Sequence, residues 1–347
     1  MPSEKTINIL MTGAGAPGAA GILKCLQFNP NFEIFTADAN PNAVGRWLHA
    51  EFEIIPFAHE KNFIQELLSI CQKRNIHVLL PLVTKELVPL AHHKKEFEEL
   101  GTKVLVSNVD ALEIANNKGR LYQFLEWRGI KVPQYKVVET VDQFKIAVED
   151  LDFPAKRICF KPSVSNGSRG FRVVANDIDE HDLLFNEKPS STYISLNDAI
   201  RILSLKPFPE LLVTEYLPGE EYSVDCVANH GEATLIVPRL RSKMLGGISV
   251  EGTFVKEENL MNYCSQIIKE LQLHGNIGIQ VKKSREGKFL IIEINPRVQG
   301  TIVAGLGAGI NLPTLAIKQE LDLPINNEEL QVKWGTKFSR YWNEVYH

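Results

Sequence analysis

The first hundred residues alternate short apolar runs with longer segments whose apolar residues recur at helical spacing. Four apolar runs predict buried strands: Ile7–Met11, Phe32–Ala37, His77–Pro81 and Lys103–Val106. The segments between them predict helices: the stretch after Gly18 that carries Ile22, Leu23 and Leu26, then Lys61–Arg74 and Lys85–Leu100. Strands that alternate with helices of this length predict a parallel sheet with helices on both faces.

The pattern changes near residue 116. Asn117–Glu126 predicts an amphipathic helix that ends before Gly129 and Pro133. From there to residue 206, short strands, helices and a glycine-rich turn predict a small α+β unit. Strands dominate afterwards: Leu211–Tyr216, Tyr222–Ala228, Ala233–Pro238, Gly275–Lys283 and Phe289–Ile294, with helices at Asn259–Leu271 and Pro313–Leu321. We therefore expect three domains: 1–115, 116–206 and 207–347.

Composition narrows the class of protein. The 347 residues are 44% hydrophobic and 23% charged, which is typical of a soluble globular protein. A net charge of −4 disfavours non-specific nucleic-acid binding, and no apolar run approaches the roughly 20 residues that span a bilayer. The five cysteines show no metal-binding spacing, and the N-terminus does not resemble a signal peptide. These features predict reduced thiols and a cytoplasmic location.

The run Leu290–Arg297 carries the strongest chemical signal. It predicts a buried strand that ends at Pro296, because proline has no N–H to donate to a neighbouring strand. Glu293 and Asn295 lie two positions apart and therefore face the same side of that strand. Two hard oxygen ligands followed by Arg297 suit a Mg²⁺–phosphate centre. The alternative is an ordinary polar strand end with a solvated arginine.

The spacing Gly13-x-Gly15-x-x-Gly18 follows the first strand and opens a helix, and Asp38 ends the next strand. This is the spacing and context of a dinucleotide-binding turn, in which a pyrophosphate lies on the helix N-terminus. The alternative is a tight strand-to-helix turn that needs small residues for packing alone.

A second candidate for phosphate binding is the run Phe160–Phe171. Lys161 ends an apolar strand, and Ser165–Gly170 is a turn of small residues whose backbone N–H groups could close over phosphate oxygens. The order of a Walker A loop is absent. A surface hairpin with a lysine that extends its charge into water explains the same residues.

Two further stretches have candidate polar groups. In the run Leu211–Asp225, Glu215 and Leu217 could present backbone groups to an adenine, and Glu221 could accept from ribose hydroxyls. A charged β-turn is the alternative. Arg239 and Arg241 could hold a substrate carboxylate or phosphate, although a solvated basic edge fits equally well.

Taken in order, these stretches resemble the ATP-grasp superfamily, and most closely the ATP-binding half of the carbamoyl-phosphate synthase large subunit. The matching stretches are Leu10–Gly15, Asn117-Lys118, Phe160–Pro162, Glu215–Tyr222 and Ile292–Arg297. The resemblance implies an α/β and α+β chain: a Rossmann-like N-terminal domain, a small central lid domain and a C-terminal antiparallel-sheet domain.

The resemblance also implies roles for single residues. It implies that Lys118 and Lys161 bind the nucleotide phosphates under a lid that includes Ser165 and Gly167. It implies that Glu215, Tyr216 and Leu217 form the adenine hinge and that Glu221 holds the ribose. It implies two Mg²⁺ ions, replaceable by Mn²⁺, on Gln280, Glu293 and Asn295. Arg297 and Lys161 would be catalytic, and Arg239 and Arg241 are candidates for substrate binding.

The implied activity is an ATP-dependent carboxylate–amine or carboxylate–thiol ligase that works through an acyl-phosphate. Its partners would be a small-molecule carboxylate and an amine, with no nucleic acid or membrane, and a homodimer is the base-rate expectation. One ATP-grasp half without a glutaminase argues against synthesis of carbamoyl phosphate. Two alternatives remain: an NAD(P)-dependent oxidoreductase that uses Gly13–Gly18, and a catalytically silent ATP-binding regulator.

Overall fold

The computed structural model describes residues 6–165, 167, 169–186 and 192–347. The chain forms two compact units. The first consists of the chain up to Ala115 together with Glu221–Val281 and Glu293–His347, and the second of Asn116–Glu220 and Lys282–Ile292. The division into three domains at residues 115 and 206 stays a prediction.

The N-terminal part of the first unit contains a five-stranded parallel sheet. Its strands are β1 (Ile7–Thr12), β2 (Phe32–Asp38), β3 (Phe52–Ile54), β4 (Val78–Pro81) and β5 (Lys103–Val104). They lie in the order β3-β2-β1-β4-β5. The helices of this part are α1 (Ala19–Gln27), α2 (Gly45–Leu48), α3 (Phe63–Lys73), α4 (Thr84–His92), α5 (Lys94–Glu99) and α6 (Val109–Asn116). The predicted alternation of strands and helices is confirmed.

One predicted helix was wrong in its extent. The segment Lys85–Leu100 forms two helices, α4 and α5, which are separated at His93. Pro89 lies inside α4, three residues before its end, and has no N–H to donate to the carbonyl of Lys85 in the first turn. The short elements α2 and β3 were not predicted from the sequence.

The second unit contains its own five-stranded sheet. Its strands are β6 (Tyr135–Val138), β7 (Ile158–Pro162), β8 (Arg172–Val174), β9 (Tyr193–Ile194) and β10 (Leu211–Glu215), in the order β6-β10-β7-β8-β9. Its helices are α7 (Lys118–Trp127), α8 (Val141–Asp150), α9 (Glu180–Phe185) and α10 (Leu196–Leu203). Asn117 caps α7, because its side chain accepts a 3.0 Å hydrogen bond from the backbone N–H of Arg120. Phe144 and Phe160 pack edge to face in the core.

The remaining strands form a six-stranded sheet in the order β15-β14-β11-β12-β13-β16. They are β11 (Glu221–Asn229), β12 (Glu232–Leu245), β13 (Ile248–Phe254), β14 (Gly275–Lys283), β15 (Phe289–Asn295) and β16 (Lys337–Ser339). Helices α11 (Glu258–Leu271) and α12 (Leu312–Glu320) complete this region, as predicted. Strand β12 extends seven residues beyond the predicted end at Pro238 and turns into β13 at Gly246 and Gly247, both with positive φ.

A single core joins the parallel sheet to the C-terminal part of the first unit. Buried residues of β1 such as Ile9 share this core with Val237 of β12, Ile302 of a short 3₁₀ helix (Ile302–Leu306) and Leu315 of α12. This shared core places the glycine loop after β1 close to the segment that follows β15.

Candidate functional site

The end of β15 places three functional candidates side by side. The Nδ2 of Asn295 lies 3.4 Å from Oε1 of Glu293, and Nη2 of Arg297 lies 3.5 Å from Oδ1 of Asn295. The Nε of Arg297 also donates to Oγ1 of Thr84 at 3.0 Å, and its Nη1 donates to the carbonyl of Val298 at 2.9 Å. Burial lowers the pKa of Arg297, an effect that the negative charge of Glu293 opposes. The guanidinium is therefore fixed in direction before any ligand binds.

Arg241 lies among the other oxygen-bearing candidates of the first unit. Its Nη1 pairs with the carboxylate of Glu221 and lies 3.5 Å from Oε1 of Gln280. Its Nε donates to Oγ of Ser249 at 2.9 Å, and its Nη2 donates to the carbonyl of Gly247. The side chain is only 3% exposed, and burial lowers its pKa against the opposing charge of Glu221. Arg241 thus ties the β12–β13 hairpin turn to Glu221.

These side chains suit a hard divalent cation. The carboxylate oxygens of Glu293 and the amide oxygens of Gln280 and Asn295 are the ligand types that Mg²⁺ prefers. Within the part of the chain that the structure describes, no group of three His, Cys, Asp or Glu side chains could hold a metal ion. Amide oxygens, and oxygens of a bound phosphate or water, would therefore have to complete the coordination.

Arg239 lies in a buried ion pair. Its Nε donates to Oδ2 of Asp225 at 2.6 Å and its Nη2 donates to Oγ1 of Thr301 at 2.8 Å. Arg239 and Asp225 are each 1% exposed, and the guanidinium lies over the ring of Phe338. Burial raises the pKa of Asp225 although Arg239 opposes it. The partners of Arg239 are therefore internal, which favours a structural role over the predicted role in substrate binding.

In the second unit, both candidate lysines are buried and hydrogen-bonded to backbone carbonyls. The Nζ of Lys118 donates to the carbonyl of Ser165 at 2.7 Å, and the Nζ of Lys161 donates to the carbonyl of Ile292 at 3.0 Å. Their exposed fractions are 5% and 9%. Ser165 and Gly167 of the predicted lid belong to the described residues, and Asn166 and Ser168 lie outside them.

The predicted adenine hinge follows β10. Oε1 of Glu215 accepts a 2.9 Å hydrogen bond from the backbone N–H of Gln134, so this side chain supports the end of the sheet. Tyr216 lies under the ammonium of Lys282 at 4.9 Å, and Leu217 is buried. The hinge is therefore anchored by its side chains.

The structure uses the glycine-rich loop after β1 for internal packing. Oδ2 of Asp38 accepts a 2.7 Å hydrogen bond from the backbone N–H of Gly15, where a dinucleotide-binding protein would offer the carboxylate to a ribose. A Cβ on Gly18 would lie 2.2 Å from Cα of Gly300. Both features of the dinucleotide pattern thus have partners inside the protein.

Sequence reasoning did not single out Thr12, Thr84 and Glu86. Thr84 contacts Arg297, and Oγ1 of Thr12 donates to Oε2 of the buried Glu86 at 2.6 Å. Their one signal in the sequence is position: Thr12 directly follows the predicted strand Ile7–Met11, and the other two follow the predicted strand His77–Pro81.

Two general predictions can be compared with the structure. All five cysteines are buried and unpaired, as predicted for reduced thiols. Among the described residues, no helix combines the length and the apolar character that crossing a membrane requires.

Two parts of the chain match known families. Residues 207–339 match the family described as ATP-grasp in the biosynthetic pathway with Ter operon. Residues 9–105 match the PylC-like N-terminal domain. Among individual relatives, the arginine-specific large chain of carbamoyl phosphate synthase from Halalkalibacterium halodurans is 24% identical over 287 residues. That alignment covers 78% of this chain but 24% of the relative, so the chain spans about a quarter of the length of that relative.

Solved structures share the fold. A carboxyaminoimidazole ribonucleotide synthase from Aspergillus clavatus complexed with ATP matches with a TM-score of 0.69 at 15% identity, covering 94% of this chain and 80% of that one. A biotin carboxylase from Campylobacter jejuni in a β,γ-ATP complex matches with a TM-score of 0.69 at 15% identity, over 95% and 74% of the two chains. The predicted ATP-grasp fold and the resemblance to carbamoyl-phosphate synthase are confirmed.

Proposed function

We propose that this chain, which combines an ATP-grasp domain with a PylC-like N-terminal domain, is an ATP-dependent carboxylate–amine or carboxylate–thiol ligase. In this reaction a substrate carboxylate attacks the γ-phosphate of ATP and releases ADP. The acyl-phosphate is then attacked by an amine or a thiol, and phosphate leaves. A free carboxylate is a poor electrophile, and phosphorylation supplies the leaving group that it lacks.

The observation that carries this proposal is the fixed position of Arg297. Its guanidinium bonds to Thr84 and to the carbonyl of Val298 and lies beside Asn295. A cation that is already oriented stabilises the charge that develops on a transferred phosphoryl group without paying for reorganisation during the reaction. The role of Arg297 in our proposal is to hold the acyl-phosphate.

The remaining roles follow the chemistry of each side chain. Lys118 and Lys161 bind phosphate oxygens of ATP, for which they would exchange carbonyl partners that are weaker acceptors. Glu221 binds the ribose, and its pairing with Arg241 holds the carboxylate in one orientation. The segment Glu215–Leu217 receives the adenine. The solved relatives that contain ATP support this choice of nucleotide.

Divalent metal binding belongs to the same proposal. Glu293, Asn295 and Gln280 would hold Mg²⁺ ions, for which Mn²⁺ could substitute. When bound, the metal neutralises charge on the phosphate oxygens. We propose two ions because the resemblance to the ATP-grasp superfamily implies two on these residues.

The substrates in this proposal are small molecules, as the names of the relatives suggest. A homodimer and a cytoplasmic location also stay predictions. Light scattering coupled to size-exclusion chromatography would test the first.

The test of the function is Mg²⁺-dependent release of ADP in the presence of pooled carboxylic acids and pooled amines or thiols. We would compare the wild type with Glu293→Gln and with the exposed control Glu232→Gln. The proposal expects one acid–acceptor pair to stimulate the wild type and the control, while Glu293→Gln loses about 100-fold or more in rate. Equal rates in all three proteins, or ADP release that needs no acid, would contradict the proposal.

A further inference from the structure

The N-terminal sheet reverses its strand order between β1 and β4. From β1 the order runs to β2 and β3 on one side and to β4 and β5 on the other. In open parallel sheets, ligands bind outside the carboxyl ends of the two strands at such a reversal. Here those ends are Thr12 and Pro81, which are paired in register. The loops that follow them approach closely, since a Cβ on Gly13 would lie 2.6 Å from the side chain of Val83.

Glu86 projects its carboxylate to this point of the fold. Its Oε2 accepts the 2.6 Å hydrogen bond from Oγ1 of Thr12, and its backbone N–H donates to the carbonyl of Val83 at 3.0 Å. Glu86 is 6% exposed, and among the described residues no lysine or arginine pairs with it. The carboxylate of Asp38 instead repels it, which adds to the effect of burial in raising the pKa of Glu86.

The fold alone does not require a carboxylate at this position. A glutamine could accept the same hydrogen bond from Thr12 through its amide oxygen. It would do so without the cost of burying an ionisable group that lacks a cationic partner. The bond from Thr12 therefore requires an oxygen acceptor at this position but does not explain an ionisable one.

Glu86 lies on the first turn of α4, and the same turn contacts Arg297, which we propose holds the acyl-phosphate. Thr84, two residues before Glu86, accepts the 3.0 Å hydrogen bond from Nε of Arg297. A ligand at Glu86 therefore lies on the turn that also orients Arg297. A second substrate bound there would be close to the group that holds the activated carbonyl.

We propose that Glu86 binds the ammonium group of the acceptor substrate and takes its proton, which makes the acceptor an amine. This inference rests on the proposed ligase function and narrows its substrate class. An ammonium supplies the positive charge that the buried carboxylate lacks, and a thiol would not.

In the proposed step, Glu86 acts as the general base for attack of the amine on the acyl-phosphate. The carboxylate of Glu86 removes one proton from the ammonium, which frees the nitrogen lone pair. That lone pair forms a C–N bond with the acyl carbon, the C–O bond to phosphate breaks, and the phosphate leaves with the electron pair. The second nitrogen proton goes to phosphate or solvent.

Burial raises the pKa of Glu86 to about 7, against the lowering effect of its bond from Thr12, and a base of this strength suits neutral pH.

The test separates activation of the acid from attack by the acceptor. Hydroxylamine, which is largely unprotonated at neutral pH, traps acyl-phosphates as hydroxamates and needs no base to release its lone pair. Pooled carboxylic acids with ATP, Mg²⁺ and hydroxylamine would identify the acid. That acid would then be assayed with a panel of amino acids and simple amines, and in parallel with simple thiols. The proteins are the wild type, Glu86→Gln, and Glu98→Gln as an exposed control.

The expected result is a fall of about 100-fold or more in kcat/KM for the amine in Glu86→Gln, with less than about a three-fold fall in hydroxamate formation. Glu98→Gln should match the wild type in both assays. An equal effect of Glu86→Gln on both assays, no effect on either, or a thiol as the acceptor would overturn the inference. Absence of hydroxamate from the wild type with every acid is a different outcome, because it would overturn the ligase function itself.

Discussion

Gly18 and Gly300 meet backbone to backbone, although 282 residues separate them in the chain. A Cβ added to Gly18 would lie 2.2 Å from Cα of Gly300 and 2.9 Å from its carbonyl atoms. The contact joins the glycine loop after β1 to the segment after β15, which also carries Arg297. Small residues in the glycine loop are therefore needed for packing within the protein.

This contact predicts that Gly18→Ala destabilises the protein. Gly18 has φ of −107°, which alanine adopts freely, so the cost comes from the collision with Gly300 alone. Overpacking of this kind costs about 1–3 kcal/mol of the free energy of unfolding, which urea denaturation measures. Gly307→Ala is the matched control, since its Cβ would come no closer than 3.4 Å to any neighbouring atom and its φ is −66°. Equal stability of the two variants would refute the packing role.

The buried Glu86 predicts a stability that depends on pH. Its pKa rises from 4.5 to about 7 on folding because burial penalises the charged form. Between these values the folded protein binds more protons than the unfolded chain. Protonation of Glu86 therefore favours the folded state. This contribution to stability is fully present below about pH 4.5 and is lost as the pH rises through about 7.

Comparison of the wild type with Glu86→Gln isolates this effect. As the pH rises from 4.5 to 7.5, the wild type should lose up to about 3 kcal/mol of its free energy of unfolding relative to Glu86→Gln, which does not ionise at this position. Urea denaturation at several pH values would measure it, with Glu98→Gln as a control that should show no such slope. A constant difference would mean that Glu86 is not held in a desolvated environment.

The ion pair between Asp225 and Arg239 predicts a large loss of stability when one partner is removed. Asp225→Asn would leave a buried guanidinium without its counter-charge, which costs about 3–5 kcal/mol. The matched control is Glu251→Gln, which removes the carboxylate of the solvent-exposed pair with Lys243 and should lie within the error of the measurement. If Asp225→Asn were as stable as its control, the pair would not be a structural element of this sheet.

The proposed phosphate role of Lys161 predicts weaker nucleotide binding in Lys161→Ala. Loss of one charge-assisted hydrogen bond of about 1.5–3 kcal/mol raises the Kd for ATP by about 10- to 100-fold. Isothermal titration calorimetry with ATP measures it, and Lys206→Ala serves as an exposed control in the same unit. Thermal melting of both variants would reveal whether loss of the bond to the carbonyl of Ile292 has unfolded the protein instead. An unchanged Kd in a folded variant would remove Lys161 from the proposed site.

Much of the fold followed from local patterns. The strands and helices of the N-terminal sheet were predicted because apolar periodicity alone distinguishes them, whereas β3 and α2 are three and four residues long and too short to show a period. The hairpin of β12 and β13 was missed because β12 continues through Arg241 and Lys243, where charged residues disguise a strand. The break between α4 and α5 at His93 was not predicted from the pattern of apolar residues.

The sequence by itself determined which residue types lie together on one strand, because side-chain alternation is a property of the extended backbone. Glu293 and Asn295 are neighbours for that reason. It could not separate Arg239 from Arg241, which lie two apart on β12. Only the tertiary structure placed Asp225 and Thr301 against the first and Glu221 against the second. The positive charge of each arginine is neutralised by a carboxylate of β11, which pairs with β12. No local pattern in the sequence encodes that strand pairing.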